Sequence, residues 1–417
     1  MSATVVSVLI IVGGESLHDF ALLPPAALGM MLVVDLLLSF SRPRNVETDV
    51  SDEVFIGEEA NIRLQFGRFR SDLRVRIDWP EGLKGPVETV VDRETSVATA
   101  RFKATRRGSW AIDYVWIAWE SRFQLLEFVP RLQLGTVIRV VPNIRLVQSG
   151  AITTKVLSSL YGVKENRSLG EGSEFHQLQE FVTGMDPRTI DWKRSAKLRS
   201  LVAKDSQAER NHHVIIALDN GYLMAQKVGT VAKIDFAVTA ALAVAWAAAI
   251  GGDLVGYLNY DVKPRQYFAP EPGRKAFTRL RSHTADMNYV TRETNHTLAL
   301  TELYARSPKR SLIIVFTDFI DTTSAELMIE NINLLAKRHL VIFVTIRDPE
   351  LDELARTAAD TLDDVAGTVA AHQTLNQRRL VLERIERMGV TIVDTTPEAL
   401  TAQLISTYLD IKAREMI

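Results

Sequence analysis

The sequence predicts a chain of several domains: an N-terminal membrane helix or hairpin, an antiparallel β-sandwich-like domain, and a C-terminal doubly wound α/β domain. Three observations carry this. An apolar run from Ala21 to Phe40 reaches the roughly 20 residues that a helix needs to cross a bilayer. Between Val46 and Pro142, apolar and polar residues alternate with the period of two expected of half-buried strands. From Val214 onward, short apolar runs alternate with helical patterns, as in a largely parallel sheet covered by helices. The segments divide as 1–44 (anchor), 45–145 (β domain), 146–210 (connector) and 211–417 (α/β domain).

Composition supports this division and excludes several functions. A chain of 417 residues with 47% apolar and 24% charged residues has enough apolar side chains for two or three cores. With 49 basic and 51 acidic residues, net charge −2, there is no overall drive toward nucleic acid. The absence of cysteine excludes disulfides, thiolate metal sites and cysteine nucleophiles.

At the N-terminus a shorter run, Ala3 to Val12, precedes the acidic stretch Gly13 to Asp19. No Lys or Arg separates the two runs, whereas Arg42 and Arg44 follow the second, so the positive-inside rule puts all later residues in the cytoplasm. The expected location is the cytoplasmic (inner) membrane. Asp35 opposes insertion by roughly 2.5–3.5 kcal/mol at a helix centre, a cost relieved toward the interface.

In the β region, Ile62, Leu64 and Phe66 alternate with polar residues, as do Leu73, Val75 and Ile77. Gly67, Pro80-Glu81-Gly82 and Arg106-Arg107-Gly108 mark turns, and the aromatic stretch Trp110 to Trp119 reads as a strand.

In the last region Val214 to Leu218 is a buried strand ending at Asp219, followed by an Ala-rich helix from Ile234 to Ile250 and a strand from Leu254 to Tyr260. Arg265 to Phe268 returns as an antiparallel edge strand, and Ser311 to Phe316 is a strand ending at Thr317-Asp318. Helix over Ala325–Arg338, strand over Leu340–Ile346, helix over Leu380–Met388 and strand over Val390–Val393 continue the series, and Pro397 opens a last helix. The predicted strand order is 3-2-1-4-5-6, which brings Asp219 and Asp318 to the point where ligands bind in such sheets. This arrangement resembles the von Willebrand factor A domain, whose Asp-x-Ser-x-Ser motif holds a divalent metal. Here the motif reads Asp219-Asn220-Gly221-Tyr222-Leu223, so neither serine hydroxyl is present. The resemblance implies a degenerate site: no cofactor, or a weak Mg2+ held by Asp219 and Asp318, with Thr297 in the place of the family's threonine.

The most specific sequence is 170–204. Phe175, Leu178 and Phe181 have helical spacing, and Thr183 to Pro187 is a turn. Gly170, Gly172, Glu174, Phe175, Asp186, Pro187, Arg188, Ile190, Asp191, Trp192, Lys193, Ser195 and Ala196 match the signature of domain-of-unknown-function family 58, which this segment resembles closely. The order anchor, β domain, signature, A-like domain is also similar to that of the family. The resemblance implies bacterial membrane proteins that partner MoxR-type AAA+ ATPases in chaperone-like assembly, and it carries no catalytic residue. The expectation is therefore a non-enzymatic adaptor acting by protein–protein contact with that ATPase and with client proteins. The alternatives are a divalent-metal-dependent ligand-binding A domain, and a hydrolase using Glu174, His176 and Asp186 or Asp191.

Overall fold

A computed structural model of the chain describes residues 23–39, 46–67, 72–164, 174–182, 185, 187, 190–198, 200–207, 212–285, 287–320, 322–356 and 361–414. The chain divides into two compact units, Met1–Val141 and Pro142–Ile417.

In the first unit, the helix Leu23–Ser39 has 17 residues, nearly all apolar, with Asp35 its one buried residue. Its described residues reach the lower end of the roughly 17–25 residues that span a bilayer. The first apolar run, Ala3 to Val12, lies outside the described residues. Ten strands follow: β1 (Val46–Asp49), β2 (Glu53–Phe55), β3 (Glu59–Phe66), β4 (Arg74–Ile77), β5 (Leu83–Lys84), β6 (Glu88–Val90), β7 (Val97–Ala104), β8 (Gly108–Glu120), β9 (Glu127–Phe128) and β10 (Arg131–Val141). One sheet has the order β1-β3-β7-β5 and the other β2-β10-β8-β4-β6. All pairings are antiparallel except β2 with β10. Alternation decides which face is buried. Ile62, Leu64, Phe66 and Phe102 are buried on the first sheet, and Val75, Ile112, Ile117 and Ile138 on the second.

The second unit begins with two helices, Arg145–Gln148 and Ala151–Lys164. The second of these belongs to the same compact unit as the large sheet and is not a free connector. Thr153 Oγ accepts from Trp246 Nε1 at 3.4 Å, and Lys155 Nζ donates to Ser406 Oγ at 2.7 Å. Strand β11 (Glu174–Glu180) pairs antiparallel with β12 (Val202–Gln207), the helix Trp192–Leu198 lying between them in sequence. The helix expected from Phe175, Leu178 and Phe181 is thus a strand. A register shift between Phe175 and Gln177 breaks the period-two pattern that marks a strand in sequence.

The central sheet contains β13 (His213–Asp219), β16 (Leu254–Tyr260), β17 (Pro264–Pro272), β18 (Leu312–Phe316), β19 (Leu340–Ile346) and β20 (Thr391–Thr395); β14 (Lys227–Val228) and β15 (Val231–Ala232) form a separate small ladder. Its order, β17-β16-β13-β18-β19-β20, is the doubly wound 3-2-1-4-5-6 with an antiparallel edge. Strands buried on both faces read as continuous Val/Ile/Leu runs, and β18 is buried at all five positions. The helix Lys233–Ile250 is long and apolar enough to cross a membrane, yet 72% of it is buried inside the unit. Its small Ala and Val side chains allow close packing against β13, β16 and the helices Gly273–Ala285 and Pro397–Ala413.

The expected helix Leu380–Met388 is the end of a longer one, Leu362–Glu386, started by a capping box in which Thr361 and Asp364 bond reciprocally. Residues 362–379 carry no continuous apolar stripe, and Leu362, Val365 and Val369 are exposed.

His339, just before β19, makes this unit sensitive to acid. Burial, then the neighbouring Arg338 charge, lowers its pKa to about 4 from 6.5. The unfolded chain therefore binds the extra proton first, and stability falls as pH drops from about 6.5 toward 4. His339→Gln is expected to flatten the slope of unfolding midpoint against pH in that window; an unchanged slope would assign it to other groups.

A closed charge cluster at the candidate functional site

Parallel pairing of β13 with β18 in the register Leu218↔Phe316 carries Asp219 and Thr317-Asp318 to neighbouring strand ends. Asp219 is 1% exposed and Asp318 4%. Each carboxylate is fully engaged by protein donors. Asp219 accepts from Gly221 N–H (2.8 Å) and Thr294 Oγ1 (2.5 Å) on one oxygen, and from Thr317 Oγ1 (2.6 Å) on the other. Asp318 accepts from Lys233 Nζ at 2.6 Å on one oxygen. Its other oxygen accepts from Phe319 N–H (2.9 Å), Thr345 Oγ1 (3.1 Å) and Arg378 (3.0 Å). Arg378 reaches on to Asp394 at 2.9 Å, and Arg347 closes the network on the other Asp394 oxygen at 2.9 Å. Burial alone would raise the Asp318 pKa. The charges of Arg378 and Lys233, with hydrogen bonds from Lys233 and Phe319, outweigh it and hold the group below the usual carboxylate range.

These residues do not fit a divalent ion. Lys233 is buried at the first turn of the helix Lys233–Ile250 and puts an ammonium where a metal would neutralise Asp318. A dication about 4 Å from that ammonium would meet repulsion of about 8 kcal/mol at an effective dielectric of 20. Asp318 and Asp394 are instead paired with Lys233, Arg378 and Arg347, and Asp219 is held by the uncharged donors Gly221, Thr294 and Thr317. The Asp-x-Ser-x-Ser position is also closed sterically, because a Cβ at Gly221 would overlap Thr294 Oγ1. Thr294, not Thr297, serves Asp219; Thr297 Oγ1 accepts from Asn331 at 3.1 Å. Among the described residues, no group of three or more His, Asp or Glu is placed to hold a metal. Beside the cluster, burial holds the His296 pKa low against the charges of Asp219 and Glu293. Burial and then the Asp219 charge push the Tyr260 phenol well above its usual range.

The signature separates into structural and exposed residues. Asp191 caps the helix Trp192–Leu198: Arg194 N–H donates to its carboxylate at 3.1 Å, and Ser195 N–H to its carbonyl at 2.8 Å. Ser195 is buried and accepts from Val202 N–H at 2.9 Å, while Asp191 N–H donates to Val202 O at 2.9 Å. These bonds fasten the helix to β12. Trp192 is 68% exposed, and Lys193 and Pro187 are exposed. Glu174, Phe175 and His176 lie on β11, while Gly170, Gly172, Asp186 and Arg188 lie outside the described residues. Asp191, one of the carboxylates considered for hydrolysis, is engaged as a helix cap.

In the first unit, Arg74, Arg76, Glu88, Trp116, Glu127 and Val129 help line a groove of about 500 Å³. Arg74 pairs there with Glu127 at 2.6 Å and Glu88 at 3.6 Å.

The chain belongs to the family described as protein of unknown function DUF58, whose model matches residues 177–388, half of its length. Among solved structures it is similar to the conserved hypothetical protein BatB from Bacteroides thetaiotaomicron, at 17% identity over 48% of this chain and 99% of that one, TM-score 0.31. It is also similar to proximal thread matrix protein 1 of the mussel byssus, at 13% identity over 49% of this chain and 47% of that one, TM-score 0.32. A third similarity is to an uncharacterized membrane spanning protein from Vibrio fischeri, at 14% identity over 48% and 98%, TM-score 0.17. The chain spans about half the length of the mussel protein. No curated protein sequence matches it.

Proposed function

We propose that this chain is a membrane-anchored, non-enzymatic adaptor whose von Willebrand factor A-like unit works from the cytoplasmic face with a MoxR-type AAA+ ATPase and client proteins. The observation that carries the reading is Trp192. It is 68% exposed in a signature whose neighbours Asp191 and Ser195 are tied into the fold. A large aromatic held outward on a fastened helix beside Lys193 has the character of an interface hot spot. The closed cluster around Asp219 and Asp318 favours this over metal-dependent ligand binding, because Asp318 already has Lys233 and Arg378 as cations and both oxygens of Asp219 are taken by protein donors.

The test is affinity capture of the detergent-solubilised chain with a co-expressed MoxR-type ATPase. The parent chain is expected to recover the ATPase. Trp192→Ala is expected to lose recovery at least tenfold, as for a hot spot above about 1.4 kcal/mol, with its unfolding midpoint unchanged. Repeated failure of the parent to recover the ATPase would sink the partnership. Ser195→Ala is expected to act differently: it strips the buried Val202 N–H of its acceptor and costs about 1–3 kcal/mol of stability, read by urea unfolding.

A further inference from the structure

We infer that Asp35 seats the loop Ser121–Leu126 of the β unit on the bilayer surface, with Phe123 and Leu125 as the side chains that enter the lipid. The inference rests on the membrane-anchor reading above and names the second contact of that anchor.

Asp35 is 0% exposed, while Met30 (73%), Val33 (55%), Leu37 (74%) and Leu38 (55%) on the same helix are open to their surroundings. A helix apolar around most of its circumference, with none of the described residues of its own unit covering those side chains, suits hydrocarbon better than water. Its single carboxylate is turned inward onto protein donors. Asp35 accepts from Ser121 Oγ, from Phe123 N–H at 3.0 Å and from Ser39 Oγ at 3.3 Å. One turn further on, Ser39 Oγ accepts from Arg122 N–H at 2.9 Å. Ser121 Oγ also accepts from Leu126 N–H at 2.9 Å, so the loop is closed on itself as well as on the helix. Gln124 turns it with a left-handed φ of 57°.

This latch fixes the loop by its backbone and leaves its apolar side chains outside. Phe123 is 45% exposed and Leu125 38%. Their depth follows from the latch: Asp35 lies four residues before Ser39, about 6 Å along the axis from the helix end. Irregular backbone is tolerated at headgroup level and not in the hydrocarbon, where apolar side chains dip about 5–10 Å. Arg122, exposed between the latched residues, suits lipid phosphate, as do Arg42 and Arg44 just after the helix in sequence. The same geometry accounts for an aspartate in an apolar helix, since its oxygens are already hydrogen-bonded by the loop.

The chain has no cysteine, so single nitroxide labels are unambiguous. The full chain would be reconstituted in phosphatidylethanolamine/phosphatidylglycerol vesicles with labels at Leu37→Cys, Phe123→Cys, Leu125→Cys or Val87→Cys. Collision with oxygen is then compared with collision with a water-soluble nickel complex. Labels at 37, 123 and 125 are expected to favour oxygen and the label at 87 nickel. Adding Asp35→Leu is expected to shift the labels at 123 and 125 toward the value at 87, with the label at 37 unmoved. Lipid at 37 but water at 123 and 125 overturns the seating loop and leaves the anchor standing; water at all positions overturns both. Labels at 123 and 125 that stay in lipid after Asp35→Leu overturn the role of Asp35.

Discussion

Replacing Lys233 by alanine is expected to destabilise the α/β unit by about 3–5 kcal/mol, the usual effect of removing one partner from a buried ion pair. The pair has side chains only 9% and 4% exposed and a separation of 2.6 Å. The same substitution is expected to create a metal response. With the ammonium gone, Asp318 and Asp219 face a space the size of the lost side chain, and a divalent ion gains the place that charge repulsion denied it. Urea unfolding with and without millimolar manganese reads both effects. The variant should recover part of its loss in manganese, while the parent midpoint should stay fixed. A parent chain stabilised by manganese, with binding lost in Asp219→Ala, would overturn the closed-cluster reading and restore metal-dependent ligand binding. Acid provides an independent check. The depressed Asp318 pKa contributes stability that is complete above its unfolded value of about 3.8 and is lost as pH falls through the lower folded value. Lys233→Ala should weaken that acid dependence, because one of the two charges holding the carboxylate ionised is gone.

The order of the central sheet was legible because it depends on pattern. Strands β13, β18 and β19 carry near-continuous apolar runs, and the helices between the parallel strands are long enough to cross over. Asp219 and Asp318 were legible for the same reason, as polar residues where such runs stop. Lys233 had a weaker signal: a charge at the mouth of the Ala-rich helix, which reads in one dimension as a solvated first turn. Arg378 had none, since it lies in a polar helix among exposed arginines and glutamates and meets Asp318 only through the crossover, 60 positions away. Thr294 and Thr297 are three positions apart and lie on either side of a helix start. The choice between them depends on where the helix His296–Arg306 begins, a boundary set by the Asn295 cap. In the signature, Asp191 and Ser195 form bonds typical of a cap and a strand stitch, and what sequence alone could not reveal is that Trp192 between them faces outward.

Asp253→Ala is expected to have an effect of similar size, about 3–5 kcal/mol, at the opposite end of the strands. Asp253 immediately precedes β16, is 0% exposed, and accepts from Tyr408 Oη, from Lys412 Nζ at 2.8 Å and from His212 N–H at 3.3 Å. It joins the amino ends of β13 and β16 to the last helix, Pro397–Ala413. Burial and then the Asp253 charge hold the Tyr408 phenol well above its usual range, so it remains a donor across the working pH. Removing the carboxylate leaves Lys412 with Gly251 O at 2.7 Å and no counter-charge. A double-mutant cycle with Lys412→Met should give a coupling of about 0.5–3 kcal/mol, whereas additivity would show that the ion pair contributes little. The comparison bears on the site itself. The amino ends of the strands are not where doubly wound sheets bind ligands, yet a partly buried lysine neutralises a buried aspartate there too. Lys233 and Asp318 repeat that solution at the carboxyl ends, where doubly wound sheets bind ligands. Losses of similar size in Lys233→Ala and Asp253→Ala would mean that the chain meets its charge balance internally at both ends of the sheet. Recognition would then fall to surfaces outside the cluster, Trp192 first among them.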